Sequence, residues 1–370
     1  MKIVLMKNNL KQALDAVSKI SGENQNLPVL KNILIKTDGG KVRLSSTNLE
    51  VAISYWCQGK IIEEGEITVS SSIITSIVNN LSNEVINLEV FDKKLKVKTD
   101  NYEAEINTLP SDEFPIIPSI KGEAESFYID IKTSVLKSAF TQVVSATHFS
   151  DLRPEINGIL FNYEVGEIKL AGTDSFRLAE KTINSGDFKS NIEEGFKYII
   201  PLKTVIEFLR ILKDDGRVKI YFDLNQVLFK TEEIEIISRL IDGNFPDYEQ
   251  IIPKQTVLEA VLEKGEFISA LKVTSVFSSK VNDIKIKAVN GKILEFNSVT
   301  QGVGENKYIV PAKIKGDKLE VSFNWNYLLL GVRSLDKENV VFSLNNDDKP
   351  SILKALGDNS YFYILMPVKE

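Results

Sequence analysis

The chain has one cysteine and one histidine in 370 residues, and both scarcities narrow its chemistry. A single thiol, Cys57, cannot close a disulfide within the chain, which fits a reducing compartment. Its place beside Trp56 in an apolar run is that of a core filler rather than a nucleophile. With His148 the only imidazole, a multi-histidine zinc site and a facial iron triad are both excluded. No glycine-rich phosphate loop is present; Gly302-Val303-Gly304 lacks the lysine that would follow and reads as a turn. Thr173-Asp174-Ser175 has the look of an aspartic-protease triplet but neither its glycine nor a second copy. Glu63-Glu64 and Asp347-Asp348 lack metal-ligand spacing and read as solvated loops. No apolar run approaches the roughly 20 residues that cross a bilayer. The apolar start, Met1–Met6, lacks the length and cleavage site of a signal peptide. The expectation is a non-catalytic cytoplasmic protein with no metal, no cofactor and no membrane partner.

A basic excess is also missing. Fifty-one acidic residues against 45 basic give a net charge of −6. A free-standing DNA binder is usually basic, because its affinity comes largely from neutralised phosphates. Taken as a sum, the charge argues against nucleic acid, but a sum does not say how charge is distributed over surfaces. Hydrophobic residues at 43% and charged residues at 26% are ordinary for a folded protein, and the length suits two or three domains.

What is present is repetition. The same order of features recurs three times at intervals of about 120–130 residues, the size of a small domain. Each copy opens with an amphipathic helix whose apolar residues fall at helical spacing: Leu10, Ala13, Leu14 and Val17; Leu136, Ala139, Phe140 and Val143; Phe267, Ala270 and Leu271. Asn8 or Asn9 and Thr133 are the expected N-caps. Short strands follow at Ile33–Lys36, Lys41–Ser45 and Val51–Tyr55, with Asp38-Gly39-Gly40 as a turn. Their counterparts are Gly158–Tyr163, Glu167–Ala171 and Arg177–Thr182, then Asp283–Val289, Lys292–Asn297 and Lys307–Val310, with a hairpin at Asn290-Gly291. Second helices are expected at Ser71–Leu81, Leu202–Leu212 and Trp325–Leu335, with Pro201 in a first turn and Asn324 as a cap. Each copy closes on further strands.

Two connectors join the copies. Leu109-Pro110-Ser111-Asp112-Glu113-Phe114-Pro115-Ile116-Ile117-Pro118 and Leu240–Tyr248, running on to Ile252-Pro253, both carry an Asp before Phe-Pro and both end in Ile-Pro. Their prolines favour extended, semi-stiff backbone. The expected domains are 1–121, 126–250 and 254–370, each α+β.

Several of these segments together resemble one family. Ala171-Gly172-Thr173-Asp174-Ser175-Phe176-Arg177-Leu178-Ala179, Phe245-Pro246-Asp247-Tyr248 and Leu365-Met366-Pro367-Val368 are similar to segments of bacterial DNA sliding clamps, the beta subunits of DNA polymerase III. Leu27-Pro28-Val29-Leu30 and Glu155-Ile156-Asn157-Gly158 add to the likeness, which runs from Met1 to Glu370. The resemblance implies three tandem domains, each two helices on antiparallel sheets. Two chains joined head-to-tail would make a six-domain homodimeric ring with helices inside, and an acidic exterior around a weakly basic lumen reconciles the net charge with sliding on DNA. The implied partners are double-stranded DNA held topologically, the polymerase III alpha subunit, the clamp loader complex and other proteins bearing a clamp-binding motif.

The resemblance also implies sites. Its peptide pocket, between the second and third domains, maps onto Ile156, Thr173, Ser175, Arg177, Leu178, Pro246, Ile251, Ile364, Met366, Pro367 and Val368. Its dimer contact maps onto Ala104 and Ile106 against Val276 and Phe277. The DNA candidates are Arg153, His148, Lys203, Arg210, Lys280 and Lys137. Lys11, Lys19, Lys132, Lys213, Lys264, Lys272 and Arg333 lie on or beside the same helices, diluted by Asp15, Glu207 and Glu266. At the peptide pocket the sequence departs from the family in three places. Phe176 replaces a common histidine, Gln250 stands at an often basic position, and the tail ends Lys369-Glu370. In the first domain, Ser70–Asn80 carries no Lys or Arg, and Asn24 replaces a basic loop residue. The rival readings are a three-domain scaffold that binds proteins without closing a ring and, last, a hydrolase using Asp174.

Overall fold

The computed structural model describes residues 1–20, 27–120, 127–150 and 152–368. Asn24, positions 121 and 126 and Lys369-Glu370 lie outside the described residues. One order of elements runs three times. The first copy is β1 (Lys2–Met6), α1 (Lys7–Val17), β2 (Asn32–Asp38), β3 (Lys41–Thr47), β4 (Val51–Cys57), β5 (Lys60–Glu63), β6 (Glu66–Ser70), α2 (Ser71–Asn80), β7 (Val85–Phe91), β8 (Lys94–Lys98) and β9 (Glu103–Asn107). The second is β10 (Tyr128–Lys132), α3 (Thr133–Val144), β11 (Gly158–Glu164), β12 (Glu167–Thr173), β13 (Arg177–Asn184), β14 (Phe188–Ser190), β15 (Phe196–Pro201), α4 (Leu202–Ile211), β16 (Arg217–Asp223), β17 (Gln226–Lys230) and β18 (Ile234–Arg239). The third is β19 (Leu258–Glu263), α5 (Lys264–Thr274), β20 (Asp283–Asn290), β21 (Ile293–Thr300), β22 (Gly304–Pro311), β23 (Lys313–Gly316), β24 (Glu320–Asn324), α6 (Trp325–Arg333), β25 (Asn339–Leu344), β26 (Ser351–Ala355) and β27 (Tyr361–Leu365).

Each copy therefore opens on a strand, not on the helix expected from the sequence. The opening residues alternate in burial (Ile3 and Leu5; Ile129 and Ile131; Leu258, Ala260 and Leu262 face inward), which is the period-2 signature of a half-buried strand. The helix stripes are as the spacing requires: every apolar residue named for the opening helices is buried. Their caps differ from expectation. α1 begins at Lys7 after Met6, with no side-chain cap, so Asn8 and Asn9 lie inside the helix, and Thr133 is the first residue of α3. Pro201 ends β15 rather than entering α4. Asn324 does cap α6, accepting from the N–H groups of Asn326 (3.0 Å) and Tyr327 (3.2 Å). Glu263 plays that part for α5, at 2.7 Å from both Gly265 and Glu266 N–H.

The chain forms two compact units. The first comprises Met1–Ser134, Lys189–Ile192 and Ile206–Leu240; the second Val135–Phe188, Glu193–Val205 and Ile241–Glu370. Within the first lie a sheet of order β5-β1-β7-β8-β9 and a nine-stranded sheet of order β14-β10-β16-β17-β18-β4-β3-β2-β6. The second holds β15-β11-β12-β13-β27-β26-β25-β19-β23 and β22-β21-β20-β24. Helices α1 and α2 pack together in the first unit, α5 and α6 in the second.

The nine-stranded sheets are continuous across copies. β18 of the second copy pairs with β4 of the first, Ile237 facing Ala52, and β27 of the third pairs with β13 of the second, Ile364 facing Leu178. The two junctions match in detail. Arg239 N–H donates to the Glu50 carbonyl (3.1 Å) in one, Met366 N–H to the Phe176 carbonyl (2.8 Å) in the other. Trp56 N–H reaches the Glu233 carbonyl (2.8 Å) where Thr182 N–H reaches that of Ser360 (2.7 Å).

Candidate functional site

The expected pocket residues gather along the β13–β27 ladder in the second unit. The loop between β12 and β13 is held by two side chains. Asp174 Oδ1 accepts from the N–H groups of Phe176 (3.0 Å) and Arg177 (3.1 Å). Thr173 Oγ1 donates to the Arg177 carbonyl (2.6 Å) and accepts from Ser175 N–H (3.1 Å). Ser175 sits at φ +78°, a left-handed conformation these short hydrogen bonds make tenable. The loop leaves Ser175 and Phe176 exposed while Thr173, Arg177 and Leu178 are buried. Asp174, read in the sequence as an unlikely catalytic acid, is thus a structural carboxylate.

Arg177 is the polar centre of this wall. Its Nε donates to Asp174 Oδ2 at 2.8 Å, with the two side chains only 6% and 8% exposed. Its second amino group reaches the Thr147 carbonyl (3.1 Å), and the guanidinium lies 4.3 Å from the ring centre of Tyr327. The remaining amino nitrogen, Nη1, is buried without a protein partner among the described residues. Gly172, one residue before the loop, stands where helix α3 comes close: a Cβ there would lie 2.8 Å from the Val143 carbonyl and 2.7 Å from Thr147 Cγ2. In the other copies Ser46 and Ser298 donate to the corresponding carbonyls, Val17 (2.5 Å) and Thr274 (2.6 Å).

Leu178, Ile364, Leu160, Ala171, Ile352 and Tyr248 form one apolar cluster, flanked by Phe245, Ile252 and Phe362. Tyr248 belongs to the second connector, whose Pro246 lines a small cleft with Leu160, Ile199 and Tyr248, while Ile251 is exposed and is not among the residues of the cluster. Tyr248 donates its hydroxyl to Glu180 Oε2 at 2.5 Å. Burial pushes the Glu180 carboxyl above its ordinary range, while the Tyr248 hydroxyl and Lys169 pull the other way without cancelling it. Sequence reasoning missed Glu180 and Tyr248 as a pair, since they lie 68 residues apart. In the tail, Met366, Pro367 and Val368 are half-buried, and Val368 N–H donates to the Ser322 carbonyl (2.8 Å). Ile156 is buried in the 3-10 turn Pro154–Ile156. Arg153, just before it, donates from Nη1 to Ser175 Oγ (2.9 Å) and from Nε to Glu155 (3.0 Å), so this DNA candidate also touches the pocket loop.

The junction β4–β18 has the same loop, with Thr47 and Asn48 making the same bonds and Leu49 at φ +76°. There Ala52 takes the place of Leu178, Glu50 that of Phe176, and beyond β18 the chain continues into the connector instead of ending as a tail. Both junctions carry a buried apolar cluster; at the first, Ala52, Ile237, Ile120, Tyr221 and Leu228 form it, with Ile117 and Tyr128 of the first connector region and β10 packed against them.

The other DNA candidates are dispersed over helices and loops. His148, Lys203 and Lys280 are exposed, Lys137 is half-buried, and Arg210 pairs with Glu207 (2.8 Å). Several basic residues of the helices serve helix ends instead. Lys7 donates to the Leu81 carbonyl, Lys264 to those of Leu335 (2.5 Å) and Arg333 (3.3 Å), and Lys19 to that of Arg210 (2.8 Å). Of the dimer candidates, Ala104 and Ile106 lie on β9, an edge strand of its sheet. Val276 and Phe277 form a 3-10 turn after α5, where Thr300 Oγ1 donates to the Phe277 carbonyl (2.7 Å). Among the described residues no three His, Cys, Asp or Glu side chains are placed to hold a metal ion, and no helix is long and apolar enough to cross a membrane.

Comparison with known proteins accounts for the whole length. Family models described as the DNA polymerase III beta subunit match in order: the N-terminal domain over residues 1–118, the central domain over 130–247 and the C-terminal domain over 249–369. The chain is 28% identical to the beta sliding clamp of Pseudomonas aeruginosa and 27% identical to that of Bacillus subtilis, all of each chain being covered. It superposes on the crystal structure of the Pseudomonas aeruginosa DNA polymerase III subunit beta with a TM-score of 0.93 at 27% identity, covering all of both chains. On that of the Bacillus subtilis DNA polymerase sliding clamp the TM-score is 0.94 at 26% identity, covering 100% of this chain and 99% of the other.

Proposed function

The chain belongs to the DNA polymerase III beta subunit family, the bacterial sliding clamps, and from that premise we propose that it works as a homodimeric ring around duplex DNA. It is a processivity factor: a partner bound to a ring that encircles DNA stays with its template without gripping it. The three repeats serve as its domains, with boundaries near 1–121, 126–250 and 254–370.

The observation that carries the ring is the bookkeeping of sheet edges. β18 pairs with β4 and β27 with β13, and each pair joins the last strand of one copy to the fourth strand of the copy before it. The same rule leaves β9 and β22, both at sheet edges, without their counterparts. A head-to-tail contact between two chains satisfies both edges twice and closes the assembly. Carrying the junction register over sets Glu103 opposite Lys307 of a partner copy and Ile106 opposite Gly304. Exposed Val276, Val299 and Val303 cluster around the β22 end, which is apolar surface that such a contact would cover.

The pocket on the β13–β27 ladder suits a short linear peptide carrying apolar side chains, with Met366 supplying adaptable packing and Arg177 a buried cation. The polymerase alpha subunit, the clamp loader and other proteins with clamp-binding motifs are its expected ligands. His148, Lys203, Arg210, Lys280, Lys137 and Arg153 are the proposed DNA contacts. Their small number and the acidic total imply weak direct affinity that falls with salt. In the cell such a protein works in the cytoplasm.

Retention on DNA is the test. Loaded onto nicked circular DNA, the protein is expected to survive a high-salt wash and to leave once the circle is cut. Loss from uncut circles at the salt that strips it from linear DNA would mean that attraction, not encirclement, holds it, and the ring reading would fail.

A further inference from the structure

The first compact unit contains a cleft of about 1180 Å³ beside the β4–β18 ladder that none of the roles above uses. Ala16, Ile211 and Ile234 supply apolar lining, and Lys19 lies among them. The repeat provides an internal comparison for this space. Ile234 faces Tyr55 across its ladder as Tyr361 faces Lys181 across β27–β13, so Ile234 and Tyr361 are counterparts. Ala16 and Lys19 correspond to Gln142 and Ser145 by the spacing that relates Leu10 to Leu136.

In the second unit that space is filled. The Tyr361 ring is fully buried, and its hydroxyl donates to the Gln142 carbonyl (3.2 Å) while standing 2.7 Å from Ser334 Oγ and 3.5 Å from Ser145 Oγ. Gln142 Nε2 seals the edge by donating to the Ser334 carbonyl (3.1 Å) and Asp336 (2.9 Å). In the first unit Ile234 lacks the phenol, Ala16 lacks the amide, and an open cleft remains. Among the described residues Lys19 spends one N–H, on the Arg210 carbonyl, and an ammonium carries three donors, which leaves capacity for an acceptor in the cleft. Asp15 and Glu232 on its lining have no ion-pair partner among the described residues.

We propose that this cleft is a second docking site, which takes a tyrosine side chain of a partner polypeptide where the other junction uses its own Tyr361. The ring packs against Ala16, Ile211 and Ile234, the phenol oxygen accepts from Lys19, and a basic residue next to the tyrosine meets Asp15 and Glu232. The site would hold a partner at the first junction as the apolar wall does at the second, giving each chain two attachment points of different chemistry.

Methyl-labelled full-length protein titrated with acetyl-Lys-Tyr-amide tests this directly. The Ile211, Ile234 and Ala16 methyl signals are expected to move, with a dissociation constant on the order of 1 mM, as a ligand of this size allows. The Lys-Phe analogue, lacking the phenol oxygen, should bind at least about threefold more weakly, since it forfeits a charge-assisted hydrogen bond. The Lys-Leu analogue should leave these methyls still. Ile234→Tyr, which fills the cleft from within, should abolish the shifts, Lys19→Met should weaken them, and Met366→Ala in the outer pocket should leave them unchanged. Still methyl signals at Ile211 and Ile234 in the native protein at saturating dipeptide would overturn the proposal without recourse to any variant, as would shifts confined to Ile364 and its neighbours. Binding of p-cresol as tight as that of the dipeptide would overturn the polypeptide assignment in favour of a site for free phenols.

Discussion

The Tyr248 hydroxyl donates to Glu180 Oε2 at 2.5 Å and so ties the second connector to the middle of the β12–β13–β27 sheet beneath the pocket. Burial raises the Glu180 carboxyl above its ordinary range, so the folded state takes up this proton more readily than the unfolded chain does. The stability this group contributes is then full below the ordinary glutamate range and is lost as pH rises through its raised folded value. Glu180→Gln keeps an acceptor for Tyr248 and removes the charge. Urea unfolding from acid to neutral pH is expected to show a shallower fall in stability for Glu180→Gln than for the native chain; identical pH slopes would contradict the assignment. Tyr248→Phe strands the carboxylate and should cost about 1–3 kcal/mol at neutral pH.

Asp174 anchors the pocket loop through two backbone N–H groups and the Arg177 guanidinium, all with little solvent. Replacing it with alanine leaves a buried arginine without its counter-ion, a loss of about 3–5 kcal/mol by the usual cost of breaking a buried pair. Asp174→Ala should therefore lower the unfolding midpoint and with it peptide binding. A midpoint within error of the native value would mean that Arg177 finds another partner.

Met366, half-buried in the tail beyond β27, belongs to the proposed peptide pocket. Truncation in Met366→Ala removes apolar contact, and the affinity for a peptide with a Gln followed by spaced Leu and Phe should weaken by about 1–2 kcal/mol, an ordinary interface loss. Calorimetry with unchanged affinity would move the pocket elsewhere.

Val276 is 69% exposed in the chain and lies at the surface proposed to meet β9 of a second copy. A carboxylate there would be buried unpaired in the assembly. Light scattering is expected to give about twice 41.5 kDa for the native protein and a single chain mass for Val276→Asp. A native protein that is monomeric at micromolar concentration would end the ring reading.

The sequence alone determined the repeat and the faces of its elements. The helix stripes around Leu10, Leu136 and Phe267 were legible because burial imposes a 3.6-residue period, and the hairpin at Gly39-Gly40 because its turn places both residues at positive φ. The opening strands were missed, since five apolar-polar alternating residues carry little signal beside a long helix. The caps of the opening helices were missed, although Asn324 was read correctly, because a cap depends on where the preceding strand releases the chain. The pocket residues came from resemblance and not from any pattern in the residues themselves. Only the tertiary structure brought Asp174 onto Arg177, Tyr248 onto Glu180 and Met366 N–H onto Phe176. It also decided that two junctions built on one register differ, one sealed by Tyr361 and the other left open beside Ile234. The physical reason is that a strand's own periodicity fixes which face a residue takes. What it meets across a junction depends on a partner strand that can lie more than 180 residues away, as Leu178 and Ile364 do.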